Sequence, residues 1–183
     1  MRRALIVVDM LNDFIDPGGA LSCGPAGVSV VSHVTALLRL SQARGDLIVF
    51  ACDAHSPDDP EFALWPRHCV TGTSGAELYG ELRTFYEEYR GVQVRYLAKS
   101  TYDAFYATDL EKLLRDNGVD EVMVAGVCTS ICCYATASGA YYRRYGVVID
   151  PRAMADLTSE AHDFAVQHMQ NVLRAQVEQE AVF

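Results

Sequence analysis

VMVAGVCTSICCYATA, at residues 122–137, is the stretch that decides the fold of this chain. An apolar run meets Gly126, and cysteines follow at positions 128, 132 and 133. The pattern predicts a buried strand that turns directly into a helix. Unpaired N–H groups and the positive end of the helix dipole lower the pKa of a cysteine at such a position, so that it can attack as a thiolate. The alternative is that these cysteines are only buried core residues.

Three other apolar runs also end in residues that can carry chemistry. ALIVVD at 4–9 ends in Asp9, LIVFACD at 47–53 ends in Asp53, and VQVRYLAK at 92–99 ends in Lys99. In open α/β sheets the functional site lies outside the carboxyl ends of the parallel strands. We therefore expect these three residues and the cysteine turn to converge. For each residue taken alone, a solvated charge in a loop is the alternative.

The intervening segments alternate regularly with the strands. The pattern predicts helices at 31–45, 75–90, 108–118, after the cysteine turn to about 145, and from Thr158 onward, with further strands at 146–150 and, as a sheet edge, within 175–183. The long polar loop at 56–75 is typical of a lid or a binding loop. This alternation predicts an α/β fold: a three-layer α/β/α sandwich with a mostly parallel sheet of about six strands.

Length and charge limit the classes of function. With 183 residues, half of them hydrophobic, we expect one domain over residues 1–183. A net charge of -9 disfavours binding to nucleic acid and to anionic membranes. No apolar stretch reaches the roughly twenty residues that span a bilayer, and the amino terminus leaves no room for a signal peptide, so a cytoplasmic location is expected. The six cysteines do not look like a secreted disulfide framework, although some pairing stays open.

The loop after the second strand has the composition of a metal site. Asp53 and His55 lie two residues apart, so on an extended chain they project to the same side, and His68 can fold back towards them. A carboxylate and two imidazoles suit zinc, iron or manganese and leave positions open for water or a substrate nitrogen. Glu61 is a further candidate ligand. The alternative is a surface loop whose histidines are merely polar.

Five motifs in chain order give this sequence a resemblance to a known family. They are VVDMLNDFIDPGG at 7–19, DAH at 53–55, WPRHCVTGT at 65–73, KSTYDAF at 99–105 and the cysteine turn. Together they resemble the nicotinamidases of the isochorismatase-like cysteine hydrolases. The resemblance implies a catalytic triad of Asp9, Lys99 and Cys132, because the family's nucleophile lies six residues after the turn glycine, here Gly126.

The same resemblance implies how the site works. Asp9 takes the thiol proton, Lys99 holds the carboxylate and the thiolate by opposite charge, and Cys132 attacks an amide carbonyl to form a thioester that water hydrolyses. The backbone N–H groups of Cys128 and Cys132 form the oxyanion hole. A cis peptide bond is implied between Val127 and Cys128.

The implied substrate is nicotinamide, which is converted to nicotinate and ammonia in NAD salvage. The resemblance implies one divalent metal on Asp53, His55 and His68, with zinc expected and iron or manganese as alternatives, and Glu61 at a position that supplies another ligand in some members. Phe14 and Trp65 match positions that flank the flat ring of the substrate. The set expected to line the pocket is Phe14, Trp65 and Tyr102. The partner is then a small amide, and a homo-oligomer is left open.

Some positions depart from the family pattern and keep other functions in view. Ser130 stands where many members have an acidic residue, Cys133 replaces an aliphatic residue, and Arg152, in an unusual segment 150–152, is placed to meet an anionic substrate. The main alternative is another amide or ureide hydrolase of this fold, resembling N-carbamoylsarcosine amidohydrolase. Isochorismatase itself typically lacks the cysteine. A non-catalytic binding domain would be expected to lose a triad residue.

Overall fold

Six parallel strands form the centre of the molecule in the computed structural model, which describes residues 2–178. The strands are β1 (Arg3–Val8), β2 (Leu47–Asp53), β3 (Val94–Lys99), β4 (Glu121–Val127), β5 (Gly146–Ala155) and β6 (Gln176–Val177). Their order across the sheet is β3-β2-β1-β4-β5-β6, and every neighbouring pair is parallel. The predicted six-stranded parallel sheet is confirmed.

Helices cover both faces of this sheet. They are α1 (Asn12–Ile15), α2 (Gly24–Ser29), α3 (Val31–Arg44), α4 (Gly80–Tyr89), α5 (Leu110–Asp116), α6 (Tyr134–Tyr142) and α7 (Ser159–Val172). Short 3₁₀ turns lie at Pro60–Ala63 and Ser74–Ala76, inside the long polar loop and at its end. No helix in the part of the chain from 2 to 178 is long and apolar enough to cross a bilayer.

Alternate residues of the central strands pack into two separate cores. On β1, Leu5 and Val7 belong to a core with α3 and α4, whereas Ile6 and Val8 belong to a core with α5, α6 and α7. A strand exposes successive side chains to opposite faces, so a strand buried on both faces has to be apolar throughout. This is why the run at 4–8 shows no alternation of apolar and polar residues. The three-layer sandwich is confirmed.

Several element boundaries differ from the prediction. The cysteine helix ends at Tyr142, and β5 continues to Ala155 because a register shift between β4 and β5 accommodates the segment 150–152. The Thr158 hydroxyl caps α7 by accepting from the Ala161 N–H. The predicted last strand is reduced to the parallel edge strand β6, and its residues 179–183 lie outside the described residues.

The strand order places a crevice at the centre of the sheet. After β1 the chain builds outward to β2 and β3, and after β4 it builds outward on the other side to β5 and β6. At such a switch point the loops at the carboxyl ends of the two central strands diverge and leave room for a ligand. Asp9 follows β1 directly, and the cysteine turn follows β4, so both flank this crevice.

Candidate active site

Two carboxylates and a lysine form a buried cluster at the ends of β1, β2 and β3. The Lys99 Nζ lies 2.7 Å from Asp9 Oδ2 and 2.5 Å from Asp53 Oδ1. Asp9 also accepts a hydrogen bond from the Asp53 N–H at 2.8 Å. The side chains of all three residues are at most 4% exposed. Because a lone buried charge is costly, the Lys99 ammonium offsets part of the negative charge of the two carboxylates.

The cysteine turn brings a thiol to this cluster. Residues Thr129–Cys133 form a π-helical turn ahead of α6, and the Cys132 Sγ lies within 4.8 Å of a carboxylate oxygen of Asp9. Such π-helical turns occur frequently at functional sites. The preceding Gly126 has a φ of 117°, and a Cβ there would lie 2.0 Å from the Val8 carbonyl oxygen. Only glycine therefore lets β4 approach β1 closely enough to position the turn.

The other two cysteines of the turn have different surroundings. Cys133 is fully buried in the core beneath α6 and is not among the described residues that line the pocket. Cys128 lines the pocket, and its Sγ lies 3.4 Å from the Cys23 Sγ. The bond between Val127 and Cys128 is cis, as the resemblance implies.

Burial sets the protonation of the thiol and of its carboxylate neighbour. Burial and the adjacent Asp53 charge raise the pKa of Asp9 to about 6, despite the opposing effect of Lys99. Burial also raises the pKa of the Cys132 thiol well above its usual value, although the Lys99 ammonium lowers it. The prediction that the start of the helix lowers the pKa of this cysteine is therefore wrong. At rest, Cys132 is therefore a thiol next to the Asp9 carboxylate. The elevated pKa of Asp9 suits this carboxylate to accept the thiol proton.

Three of the predicted metal ligands lie together beside this cluster. One ligand atom each from Asp53, His55 and His68 lies within 4.8 Å of the others, and all three residues are buried. The nearest contacts are from Asp53 Oδ2 to His55 Nε2 at 3.6 Å and to His68 Nε2 at 3.8 Å. Glu61 belongs to a second group, with His55 and Asp59, at the partly exposed side of the site.

The orientation of both rings fits a metal. His68 Nδ1 lies 2.7 Å from the Pro66 carbonyl oxygen, and His55 Nδ1 lies 3.1 Å from Asp59 Oδ2. A carbonyl oxygen can only accept, so His68 Nδ1 carries a proton, and in the neutral ring Nε2, the nitrogen that faces Asp53, is then the one available to a metal. His55 Nε2 is buried and has no hydrogen-bond partner within residues 2–178. A buried nitrogen without a partner next to a carboxylate and a second imidazole is the donor set of a divalent cation.

An apolar pocket opens in front of the thiol. Its walls include all three residues predicted for them, Phe14, Trp65 and Tyr102, together with Asp9, Asp53, Glu61, His68, Cys128 and Cys132. The Trp65 indole N–H donates to the Tyr102 hydroxyl at 3.0 Å, which fixes both side chains. Aromatic side chains thus share one pocket with a few polar groups and a thiol, an arrangement that suits a small planar molecule.

Several residues around this site were not predicted from the sequence. Leu21, Val127, Ile131 and Leu157 also line the pocket, and Asp59 holds the His55 ring. The expectation for Arg152 is not met. Its guanidinium donates to both oxygens of Asp150 at 2.8 Å, and Arg152 is not among the described residues that line the pocket.

Comparisons with known proteins agree with this architecture. The chain matches the Isochorismatase domain over residues 3–181. A nicotinamidase/pyrazinamidase from Bacillus subtilis superposes with a TM-score of 0.95 at 40% identity, over 98% of this chain and 100% of that one. The pyrazinamidase of Pyrococcus horikoshii, solved in complex with zinc, superposes with a TM-score of 0.87 at 33% identity, over 98% and 100%.

A third similar structure is that of an amidase named for a different substrate. The N-carbamoylsarcosine amidase of Thermoplasma acidophilum superposes with a TM-score of 0.85 at 33% identity, over 99% of each chain. The match over nearly the whole sequence establishes the family: this chain belongs to the isochorismatase domain family.

Proposed function

We propose that this protein is a metal-containing cysteine amidohydrolase that converts nicotinamide to nicotinate and ammonia, with Asp9, Lys99 and Cys132 as the catalytic residues. The observation that carries the proposal is the placement of one thiol. Cys132 Sγ lies within 4.8 Å of the Asp9 carboxylate, and both residues line an apolar pocket together with Asp53 and His68. A nucleophile, a base and the residues that could hold an orienting cation thus meet where a small substrate can enter.

In the first half of the reaction the thiol is acylated. Asp9 takes the proton from Cys132 Sγ, and the sulfur attacks the carboxamide carbon to form a tetrahedral oxyanion. When this species collapses, the C–N bond breaks and Asp9 returns the proton to the departing nitrogen. Ammonia leaves, and a thioester remains on Cys132. An Asp9 pKa of about 6 allows the carboxyl group to both accept and return the proton near neutral pH.

The second half of the reaction restores the enzyme. Asp9 takes a proton from a water molecule, whose oxygen attacks the thioester carbonyl. The C–S bond then breaks, the acid is released, and the sulfur receives the proton held by Asp9. Lys99 holds Asp9 in place through its 2.7 Å contact, and its charge favours the thiolate at each step in which one forms.

Backbone donors are assigned to the oxyanion. We assign the N–H groups of Cys128 and Cys132 to this role, because both residues line the pocket at the turn that presents the thiol. Removal of one such donor typically costs about 3 kcal/mol in activation free energy.

The metal is assigned to Asp53, His55 and His68, with zinc as the first choice. Two observations support the site: among residues 2–178 His55 Nε2 has no hydrogen-bond partner, and the Nε2 atoms of His55 and His68 both face Asp53 Oδ2. Glu61 is proposed as a further ligand on the exposed side. When bound, the cation supplies a Lewis acid that attracts the lone pair of a pyridine nitrogen, which none of the apolar walls can do.

The aromatic residues of the pocket also favour nicotinamide. Phe14, Trp65 and Tyr102 offer aromatic surface to a flat ring. The alternative is an N-carbamoylsarcosine-like ureide, which the similarity to the Thermoplasma acidophilum amidase keeps open. That substrate has no ring nitrogen to meet a metal. The homo-oligomer and the cytoplasmic location stay predictions from the sequence.

A screen for ammonia release tests this proposal. Purified protein, analysed for bound metal, is incubated with nicotinamide, benzamide and N-carbamoylsarcosine, and ammonia is measured. We expect hydrolysis of nicotinamide with a kcat/KM well above that of the other two. Preferential hydrolysis of N-carbamoylsarcosine would establish the alternative, and release from none of the three would contradict an amidohydrolase of this substrate class.

A further inference from the structure

Asp59 is the polar residue next to the candidate metal ligands that the proposed mechanism does not use. Its Oδ1 accepts a hydrogen bond from the Glu61 N–H at 2.9 Å, which caps the 3₁₀ turn Pro60–Ala63. Its Oδ2 lies 3.1 Å from His55 Nδ1. One carboxylate thus holds both a predicted metal ligand and the backbone of a candidate fourth ligand. We propose that Asp59 is a positioning residue of the metal site, and this inference rests on the metal assignment of the proposed function.

The carboxylate determines which nitrogen of His55 carries the proton. A neutral imidazole has a single N–H, and an ionised carboxylate can only accept a hydrogen bond. The contact with Asp59 therefore places the proton on Nδ1 and leaves the lone pair on Nε2. That nitrogen is the buried one, 3.6 Å from Asp53 Oδ2. A ring in the other tautomer would direct an N–H at the metal position and block coordination.

The surroundings hold this geometry in place. The His55 ring contacts the rings of Phe62 and His68, with centroid distances of 5.5 Å and 4.8 Å. Asp59 is itself anchored by its cap on the turn that begins at Pro60. Because both partners are restrained, the hydrogen bond costs little conformational entropy when a metal binds.

A direct role for Asp59 as a metal ligand fits the structure less well. Asp59, Glu61 and His55 do form a group with ligand atoms within 4.8 Å of one another. A metal there would use His55 Nδ1, and His55 Nε2 would stay buried without a partner, at a cost of about 1–3 kcal/mol. Coordination through Nε2, with Asp59 outside the coordination sphere, satisfies both ring nitrogens.

Three substitutions separate the two hydrogen bonds of Asp59. In Asp59→Asn the Oδ1 can still cap the Glu61 N–H, but the amide nitrogen cannot accept from His55 Nδ1. In Asp59→Ser the hydroxyl retains a good N-cap and is too short to reach the ring. Asp58→Asn removes a neighbouring exposed carboxylate and serves as the matched control.

The measurement is zinc affinity, by competition of metal-free protein with a chromophoric chelator and without substrate. We expect a loss of about 10–100-fold for Asp59→Asn and Asp59→Ser, and wild-type affinity for Asp58→Asn. We further expect the metal-free thermal midpoint of both variants to fall by only a few °C, because one hydrogen bond of the His55 ring is lost, while the rise on adding zinc becomes smaller. At saturating zinc, hydrolysis of nicotinamide should recover, since Asp59 does not touch the substrate.

The outcomes separate this inference from the proposed function. A wild type that binds zinc but does not hydrolyse nicotinamide removes the proposed substrate and leaves the role of Asp59 standing. Unchanged zinc affinity in both variants overturns the inference, as does a wild type that binds no zinc. If both variants unfold without metal, the role of Asp59 is structural and the inference is also overturned.

Discussion

Replacing Lys99 by methionine is expected to destabilise the metal-free protein by about 3–5 kcal/mol. The Lys99 ammonium lies 2.7 Å from Asp9 and 2.5 Å from Asp53, and its side chain is 0% exposed. Methionine has a similar length, so the change removes the charge with little change in packing. Two buried carboxylates then face each other without a cation, and this unpaired charge is the origin of the cost.

The loss can be read as a shift in Tm. For a chain of this size each kcal/mol lowers Tm by about 2–4 °C, which gives an expected drop of about 6–20 °C. Calorimetry in the presence of a chelator measures it without a contribution from bound metal. Lys112→Met is the matched control, because this lysine pairs with Asp116 at the surface. The side chains of Lys112 and Asp116 are 68% and 57% exposed. An exposed pair of this kind contributes little, and no measurable shift is expected.

Lys99→Met should also change the reactivity of the Cys132 thiol. Lys99 lowers the pKa of the Cys132 thiol, so Lys99→Met should also slow the alkylation of Cys132 near neutral pH. A Tm drop below about 3 °C, or below the drop in Lys112→Met, would refute the claim that this lysine neutralises the buried cluster. Unchanged alkylation kinetics would separately remove Lys99 from the environment of the thiol.

Two further perturbations test other parts of the site. Gly126→Ala should destabilise the protein by about 3 kcal/mol or more in urea unfolding, because the added Cβ would lie 2.0 Å from the Val8 carbonyl oxygen. The control is Gly91→Ala, where the nearest atom is 4.0 Å away and stability should change by about 0.5 kcal/mol or less. Equal effects of the two substitutions would contradict the close approach of the strands. His55→Ala or chelation should raise the KM for nicotinamide about tenfold or more, because the metal would bind the nitrogen of the pyridine ring. Benzamide has no ring nitrogen, so its hydrolysis should change little. Equal losses for both substrates would contradict the role of the metal in orienting the substrate.

The location of the site was predictable from the sequence because it follows from strand ends. Three apolar runs finish in Asp9, Asp53 and Lys99. In a parallel sheet the carboxyl ends of the strands lie at one edge, so this rule alone predicts that the three residues meet. Cys132 was assigned by resemblance, and the structure places it beside Asp9. The candidate metal ligands Asp53 and His55 were predicted from a local pattern, because residues two apart on an extended chain project to the same side, and the structure brings His68 beside them.

Other features depend on packing that no local pattern reports. The shift in the pKa of the Cys132 thiol was predicted with the wrong sign. The position of Cys132 near the start of a helix can be read from the sequence, but its burial in the folded protein cannot. Leu21 and Leu157 come from loops whose approach to the pocket depends on the tertiary fold. Asp59 is one of several acidic residues in a polar segment, and only the orientation of the His55 ring singles it out.

The central claim is that Cys132 carries the acyl group during turnover, and rapid-quench mass spectrometry with nicotinamide tests it most directly. Acid quenching in the first turnovers should leave one nicotinoyl group on the peptide that contains Cys132, and Cys132→Ala should show neither the adduct nor ammonia release while keeping the wild-type thermal midpoint. Cys133→Ala, which removes the neighbouring buried thiol, should still form the adduct. A nicotinoyl group found on Cys133 or Cys128, or turnover retained in Cys132→Ala, would contradict the account.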